Sequence, residues 1–453
     1  MKAKKILLYP MNAALIYLLF TIVIFLYGPI EWNIPSVPKL VSVLLIYTGT
    51  FALGYYLKAS QLIAQLKTNE KNKNRFSDFE RTSANFLNGI PTSAIGLIFS
   101  VSCIFSILKH CIVMLHYYGS IDFSALLSFD FSEAYFSRLN SNIAGTWYIF
   151  ALNCMNVLDV FWYPLGMIYF KRFHFGYKAL FILTLLINFT YNAQSGTMIS
   201  WGNFIFRLIP FLFLEIFNAI HSKNRTVSKS GKRTICIILV LIMLFVSLFI
   251  FSQESRYDYM GYEDELSYDN GILDRFIENE RSYPIVGKRL SSVAFYIGNG
   301  YCGLAYALEL PPSFTYGIGF SRDLSRTINQ YFGIDVSGIT YPQRTEDAFG
   351  WKNGIYWPSA YSWFASDLTF FGIPFLMFFF GQFFCSVWFN ALTENSITAV
   401  VLTGWLWIGI LFIPANNQLF QSFNMFAATV GLILLYIFRK KLPTPVLKQT
   451  ISK

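Results

Sequence analysis

Charge is what this chain has least of. Only 13% of its 453 residues are Asp, Glu, Lys or Arg, against roughly 25% in a soluble domain. Histidine is scarce as well, with four in the whole chain. Of the six cysteines, Cys103, Cys111, Cys154, Cys236 and Cys385 fall in or beside apolar runs. Cys302 is left alone in the polar part of the sequence, which excludes a disulfide framework there. There is no C-x-x-C pair, no H-E-x-x-H, no G-x-x-x-x-G-K-[ST] and no D-x-D. Zinc hydrolysis, thiol chemistry, an ATP-driven pump and cytosolic nucleotide-sugar chemistry therefore lack their usual sequence signs. No metal and no cofactor is expected.

Long apolar runs take the place of these features. The chain is 55% hydrophobic and 19% aromatic, with a mean hydropathy of +0.46. Ten runs are each long enough, at about 20 residues, to cross a bilayer. They lie near 10–29, 39–57, 92–115, 145–168, 179–195, 200–220, 235–253, 365–386, 398–414 and 419–438. The expected fold is an all-α polytopic membrane protein with about ten transmembrane helices. It divides into a seven-helix membrane domain (1–253), one large loop (254–362) and a second membrane domain of three helices with a tail (363–453). The first run follows Met1-Lys2-Ala3-Lys4-Lys5 but exceeds a signal h-region and lacks an A-x-A site, so it reads as a retained span.

Alternating the runs across a membrane sorts the basic residues. Twenty-two Lys and Arg fall on one side and 12, including Lys39, Lys109 and Arg138, on the other, with Arg207 inside a run. The positive-inside rule then puts both termini in the cytoplasm and 254–362 outside. The net charge of +10 is thus a topology signal, and nucleic acid is not an expected partner. The large loop itself is acidic, with 14 Asp and Glu against 9 Lys and Arg. The basic 59–88 loop reads as an orientation signal near anionic lipid. The smaller outer loop, 116–144, carries Asp122, Asp130, Glu133 and Arg138.

Function is expected in the large loop, because the spans mainly satisfy the bilayer. Residues 254–290 are charged, and 291–310 are apolar enough to lie in the interface or dip into the protein. Residues 319–332 predict an amphipathic helix: Phe320, Leu324, Ile328 and Phe332 form one apolar stripe and Gly333 follows as a stop. Arg322 and Arg326 share another face of that helix. Two guanidinium groups side by side suit a diphosphate, since each grips phosphate oxygens with a two-pronged hydrogen bond. A solvated face with an Asp323–Arg326 ion pair is the alternative. Arg275, Arg281, Arg289 and Arg344 are further loop cations, and Arg256 sits at headgroup depth just beyond the seventh run. The candidate substrate-binding cations are Arg256, Arg289, Arg322, Arg326 and Arg344.

Glu346 and Asp347 are the best-placed loop carboxylates for a general base, because aromatic residues follow closely and apolar surroundings tune a carboxylate for that task. An exposed acidic turn is the competing reading. Trp351 and Tyr356 are candidate stacking surfaces for sugars, whereas Trp357, Tyr361 and Trp363 are assigned to the interfacial belt. Within the spans, Arg207 needs a partner or a purpose. Asn188 and Asn192 are nearer to it in depth than Asp159, so direct pairing with Asp159 is not expected. His110 and His116 lie at the outer end of the third run.

In topology and in these motifs the chain resembles the Wzy-type polymerases of O-antigen and capsular polysaccharide. Both Arg322…Gly333 and Arg289…Gly300 fit an Arg-x10-Gly pattern found in outer loops of some members. Ser366-Asp367-Leu368-Thr369-Phe370-Phe371-Gly372, running on to Gly381, is similar to the D-x-G-x-x-G-type entry to the span after the loop. Thr315-Tyr316-Gly317-Ile318-Gly319 also has the family's character. The motif match covers residues 315–381. The resemblance implies a glycosyltransferase in the bacterial inner membrane, GT-C-like by analogy. Such an enzyme moves a growing glycan from undecaprenyl diphosphate onto the non-reducing end of a new lipid-linked repeat unit. Its partners would be undecaprenyl-diphosphate-linked glycans, membrane lipid and a chain-length-regulating membrane protein. Alternatives are an O-antigen ligase, another membrane transferase or a flippase. Ligases usually carry a histidine in the large loop, and flippases usually show repeated spans and no such loop.

Overall fold

The computed structural model describes residues 2–68, 92–128, 147–170, 172–196, 199–212, single positions between 236 and 250, 287–354, 356–393 and 396–438. Every regular element among them is a helix. Four helical stretches are long and apolar enough to cross a membrane: Lys5–Tyr27, Val37–Gln65, Ser93–Tyr118 and Ala360–Thr393. Gly202–Leu212, Ile397–Phe412 and Phe423–Phe438 are shorter apolar helices. The described part is thus an all-helical protein of membrane character.

The centre is the pairing of helices Val37–Thr68 and Ala360–Thr393. Small residues permit it. A Cβ on Gly54 would sit 2.0 Å from the Phe378 carbonyl oxygen, and one on Gly381 would sit 2.2 Å from that of Phe51. Only glycine lets the two backbones come so close, the device by which apolar helices associate where burial from water gives no drive. Phe51 stacks on Phe380 at 5.3 Å beside this contact.

The long helix is not continuous. Thr369 has φ 56° and ψ 168°, so Ala360–Leu368 and Phe370–Thr393 are two helical pieces joined at a break. A β-branched residue in that region is strained.

Part of the segment expected to be loop belongs to the core. Helix Gly287–Ala307 packs on the first helix and the connection after it: the Tyr301 hydroxyl lies 3.0 Å from that of Thr21, and the Tyr306 hydroxyl donates to the carbonyl of Asn33, beyond the helix end at Tyr27, at 2.6 Å. The apolar stretch read at 291–310 dips into the protein.

Two expectations about charge inside the spans are corrected. Lys109, counted among the residues outside, is buried in helix Thr92–Tyr118. Its Nζ lies 2.6 Å from Asp159 Oδ2 and 2.5 Å from Asn156 Oδ1. The fourth apolar run makes this possible by breaking into helix Trp147–Cys154, a 3-10 turn Met155–Val160 and helix Trp162–Tyr169. The tighter turn carries Asn156 and Asp159 to the lysine. Arg207 leans instead on the Trp405 ring, 4.5 Å from its centroid. Asn188, considered as its partner, donates to Ser106 and to the Thr184 carbonyl. Removing one partner of a buried pair costs about 3–5 kcal/mol. Lys109→Met is therefore expected to lower thermal stability in detergent sharply, and adding Asp159→Leu is expected to restore most of it. A single variant as stable as the parent would show that the pair is not holding these helices.

Candidate functional site

Local sequence chemistry sets the arginine helix, Arg322–Phe332. Ser321 is its N-cap, with Oγ accepting from Leu324 N at 3.3 Å, and Gly333 ends it in the left-handed conformation at φ 69°. A serine before and a glycine after are the residues each end requires. The spacing of Arg322 and Gly333 is thus the length of one capped helix. Arg289 and Gly300 instead lie within one helix, Gly287–Ala307. There Gly300 is needed because a Cβ would meet the Pro414 carbonyl oxygen at 2.0 Å. The same pattern has two unrelated physical causes.

Three hydrogen bonds seat the arginine helix on the connection 413–422. The Ser321 hydroxyl donates to the Phe420 carbonyl, Asn417 Nδ2 to the Phe320 carbonyl at 2.7 Å, and Asp323 N to the Gln421 carbonyl at 3.3 Å. The apolar stripe is turned inward only at its start, where Phe320 packs against Phe364, Phe420 and Phe426. Phe332 is 75% exposed and Leu324 and Ile328 are half-buried, while the buried residue of the helix is Ser325. Polar bonds and the Phe320 ring dock the start of this helix, so Ser325 is turned inward, Arg322 is half-buried and Arg326 lies at the exposed edge.

A second anchor fixes the approach to the helix. The buried Asp367 carboxylate accepts from Gly317 N at 2.8 Å, Phe320 N at 2.7 Å, Gly319 N at 3.4 Å and the Thr315 hydroxyl. Tyr316 and Gly317 both have positive φ, 58° and 82°, which turns successive N–H groups toward one point. Such a backbone nest holds an anion. The motif segments 315–319 and 366–367 are therefore the two halves of one clamp.

Arg322, Arg326 and Ser325 form one wall of a cleft of about 170 Å³. Ser337, Thr340, Gln343 and Asn353 form the opposite wall, with Gly319, Gly354 and Trp363 between. The Arg322 guanidinium lies 5.0 Å from the Trp357 ring centre and its Nε 3.3 Å from Asp323 Oδ1. Arg326 Nη1 is 3.9 Å from the same oxygen, and its side chain is 70% exposed. The ion pair weighed from sequence exists, but one carboxylate serves two cations. Partial burial and the charge of Arg322 lower the Arg326 pKa, and Asp323 opposes them.

The remaining candidates separate. Arg344 lies over the Tyr341 ring at 5.3 Å, off the cleft lining, with Nη1 unpartnered. Arg289 is in the first turn of its helix and its side chain lies outside the described residues, as do Arg256, Arg275 and Arg281. Glu346 and Asp347 do not line the cleft. Gln343 Nε2 donates to both, at 3.2 and 3.0 Å, and Asn353 N donates to Glu346 at 3.1 Å. The two carboxylates reach the site only through Gln343 and Asn353. Trp351 and Tyr356 are corrected as stacking surfaces: they are buried against each other, 4.9 Å between centroids, with Tyr306 and Phe295 covering them. Tyr361 and Trp363, assigned to the belt, are buried too, and Trp363 lines the cleft. The chain folds back over them, so an aromatic residue just before a span is not at the lipid surface.

Trp363, Ser325, Gln343 and Asn353 were not singled out from the sequence, and nothing in their local pattern marks them. Among the described residues no group of three His, Cys, Asp or Glu side chains is placed to hold a metal ion. No family model matches the chain, and neither a curated protein nor a solved structure matches it.

Proposed function

We propose that the chain is a polymerase that joins lipid-diphosphate-linked oligosaccharide units into a polysaccharide on the outer face of the bacterial cytoplasmic membrane. The observation that carries this reading is the pair of arginines four residues apart on a capped helix, both lining a cleft whose other polar residues are neutral. In the proposed reaction an acceptor hydroxyl attacks the anomeric carbon of the donor, and its proton passes to the departing diphosphate. The bond from that carbon to the diphosphate oxygen breaks, and the prenyl diphosphate leaves with the bonding pair. Arg322 and Arg326 stabilise the charge that grows on it, the role a metal ion fills elsewhere. The reading includes about ten spans, from the apolar runs, a GT-C-like membrane architecture, by analogy, and cytoplasmic termini with the large loop outside, from the sidedness of Lys and Arg.

The test is reconstitution of the full chain in vesicles with a lipid-linked repeat unit. Polymer with release of prenyl diphosphate is expected, at a rate unchanged by chelator. Loss on chelation with rescue by magnesium would overturn the role given to the arginines. Movement of the unit across the bilayer without polymer would make the chain a flippase. Transfer only to a separate core acceptor would make it a ligase.

A further inference from the structure

Opposite the arginines, the lining that runs from Gln343 and Asn353 to Trp363 contains polar atoms without a hydrogen-bond partner. Asn353 Oδ1 and Trp363 Nε1 are both buried without a hydrogen-bond partner, an unpaired acceptor and an unpaired donor in the same lining. Trp363 is 2% exposed. A buried polar group left unpaired is costly, so their arrangement favours a ligand that satisfies both.

Gln343 adds a direction. Its amide nitrogen is held by Glu346 and Asp347, so its Oε1 is turned the other way, 3.4 Å from Asn353 Nδ2. The wall therefore offers two carbonyl-type acceptors and one ring N–H. A hydroxyl both donates and accepts, so one hydroxyl meets the ring N–H and one acceptor, and a ring bearing two hydroxyls meets all three. A carboxylate or phosphate only accepts. It would face two carbonyl oxygens here, with the charges of Glu346 and Asp347 behind them. The cationic wall of Arg322 and Arg326 has the opposite preference.

We propose that the Gln343–Asn353–Trp363 wall is a sugar-specificity subsite that takes an uncharged, hydroxyl-bearing ring bonded to the phosphate held by the arginines. Glu346 and Asp347 are positioning residues in this arrangement: they fix which way the Gln343 amide points. The cleft, about 170 Å³, is well below the 300–1,000 Å³ of a drug-sized pocket, so it takes a single head group and not an oligosaccharide. This assignment rests on the diphosphate reading above, and its test separates the two.

Calorimetry on the full chain in detergent would compare three probes: a short-chain prenyl diphosphate, the same diphosphate bearing a neutral hexose, and the same bearing a hexuronic acid. The neutral hexose is expected to bind about tenfold tighter than the bare diphosphate, the scale of one or two well-made hydrogen bonds. The hexuronic acid is expected to gain nothing. Asn353→Ala, Gln343→Ala and Trp363→Phe should each remove most of the hexose gain and leave the bare diphosphate affinity unchanged, which also reports that the variants are folded. A hexose gain that persists in all three variants, or a hexuronic acid that binds as well as the hexose, overturns the sugar assignment alone. Failure of the bare diphosphate to bind the unaltered chain overturns both readings.

Discussion

Replacing Arg322 and Arg326 together by alanine is expected to abolish transfer from a lipid-diphosphate donor while the protein accumulates normally. The two side chains project from a helix held by its caps and by bonds to the connection 413–422, none of which involves a guanidinium. Their loss therefore leaves the scaffold intact. A hydrogen bond to a charged group contributes about 1.5–3 kcal/mol. Two lost contacts at least, at about 1.4 kcal/mol per tenfold in rate, predict a fall of about 10²–10⁴. Arg322→Lys keeps the charge but loses the planar fork and its packing on Trp357, so much of the activity should go with it. Asp323→Ala is the control. If Arg326 served only to pair with Asp323, either removal would give the same mild stability defect. Polymer of normal length from the double variant would sink the site and return the search to Arg207, Arg256 and Arg344.

Asp367→Ala is expected to damage the same site from beneath. The carboxylate holds the N–H groups of Gly317 and Phe320 and the Thr315 hydroxyl inside the protein. Alanine leaves the two N–H groups unpaired, at about 1–3 kcal/mol each, or about 2–6 kcal/mol overall, while the Thr315 hydroxyl keeps the Ser366 carbonyl as its acceptor. The turn 315–320 leads directly into Ser321, so the arginine helix should lose its fixed approach. Limited proteolysis should open the chain near 313–322, and prenyl diphosphate affinity should fall although no cation has been touched. Unchanged protease resistance together with unchanged affinity would show that the clamp does not govern the site.

The arginine helix was legible in the sequence because its determinants are local. Ser321 and Gly333 mark its ends, and the four-residue spacing of Arg322 and Arg326 places them on one side. Which side faces inward was not legible. The stripe of Phe320, Leu324, Ile328 and Phe332 would settle the question in water, but here backbone and side-chain bonds to residues 417–421 decide it. Lys109 and Asp159 are 50 positions apart and meet through a 3-10 turn inside an apolar run that reads as ordinary helix. Tyr361 and Trp363 sit where aromatic residues usually mark the lipid surface, and only the path of the chain over them puts them inside. Asp367 and the 315–319 turn were both noticed as motifs. Their contact follows from the chain folding back on itself, which neither segment encodes alone.

The break at Thr369 divides the duties of the long helix. Ala360–Leu368 carries Asp367 and Trp363 and is tied to the polar segment, for example by Tyr341 N to Ser366 Oγ at 3.0 Å. Phe370–Thr393 is tied to helix Val37–Thr68 through Gly381 and the Phe51–Phe380 stack. An unbroken rod would transmit any rocking of its lower half into the cleft, with the upper half as a lever. A joint at Thr369 loosens that coupling and leaves it to side chains, chiefly Tyr47, which meets the Tyr361 ring at 4.8 Å and the Phe370 carbonyl at 2.8 Å. When a bilayer thins and its helices lean, the lower piece is free to follow the lipid while the clamp and the arginines keep their register, as a gimbal keeps an instrument level on a moving deck.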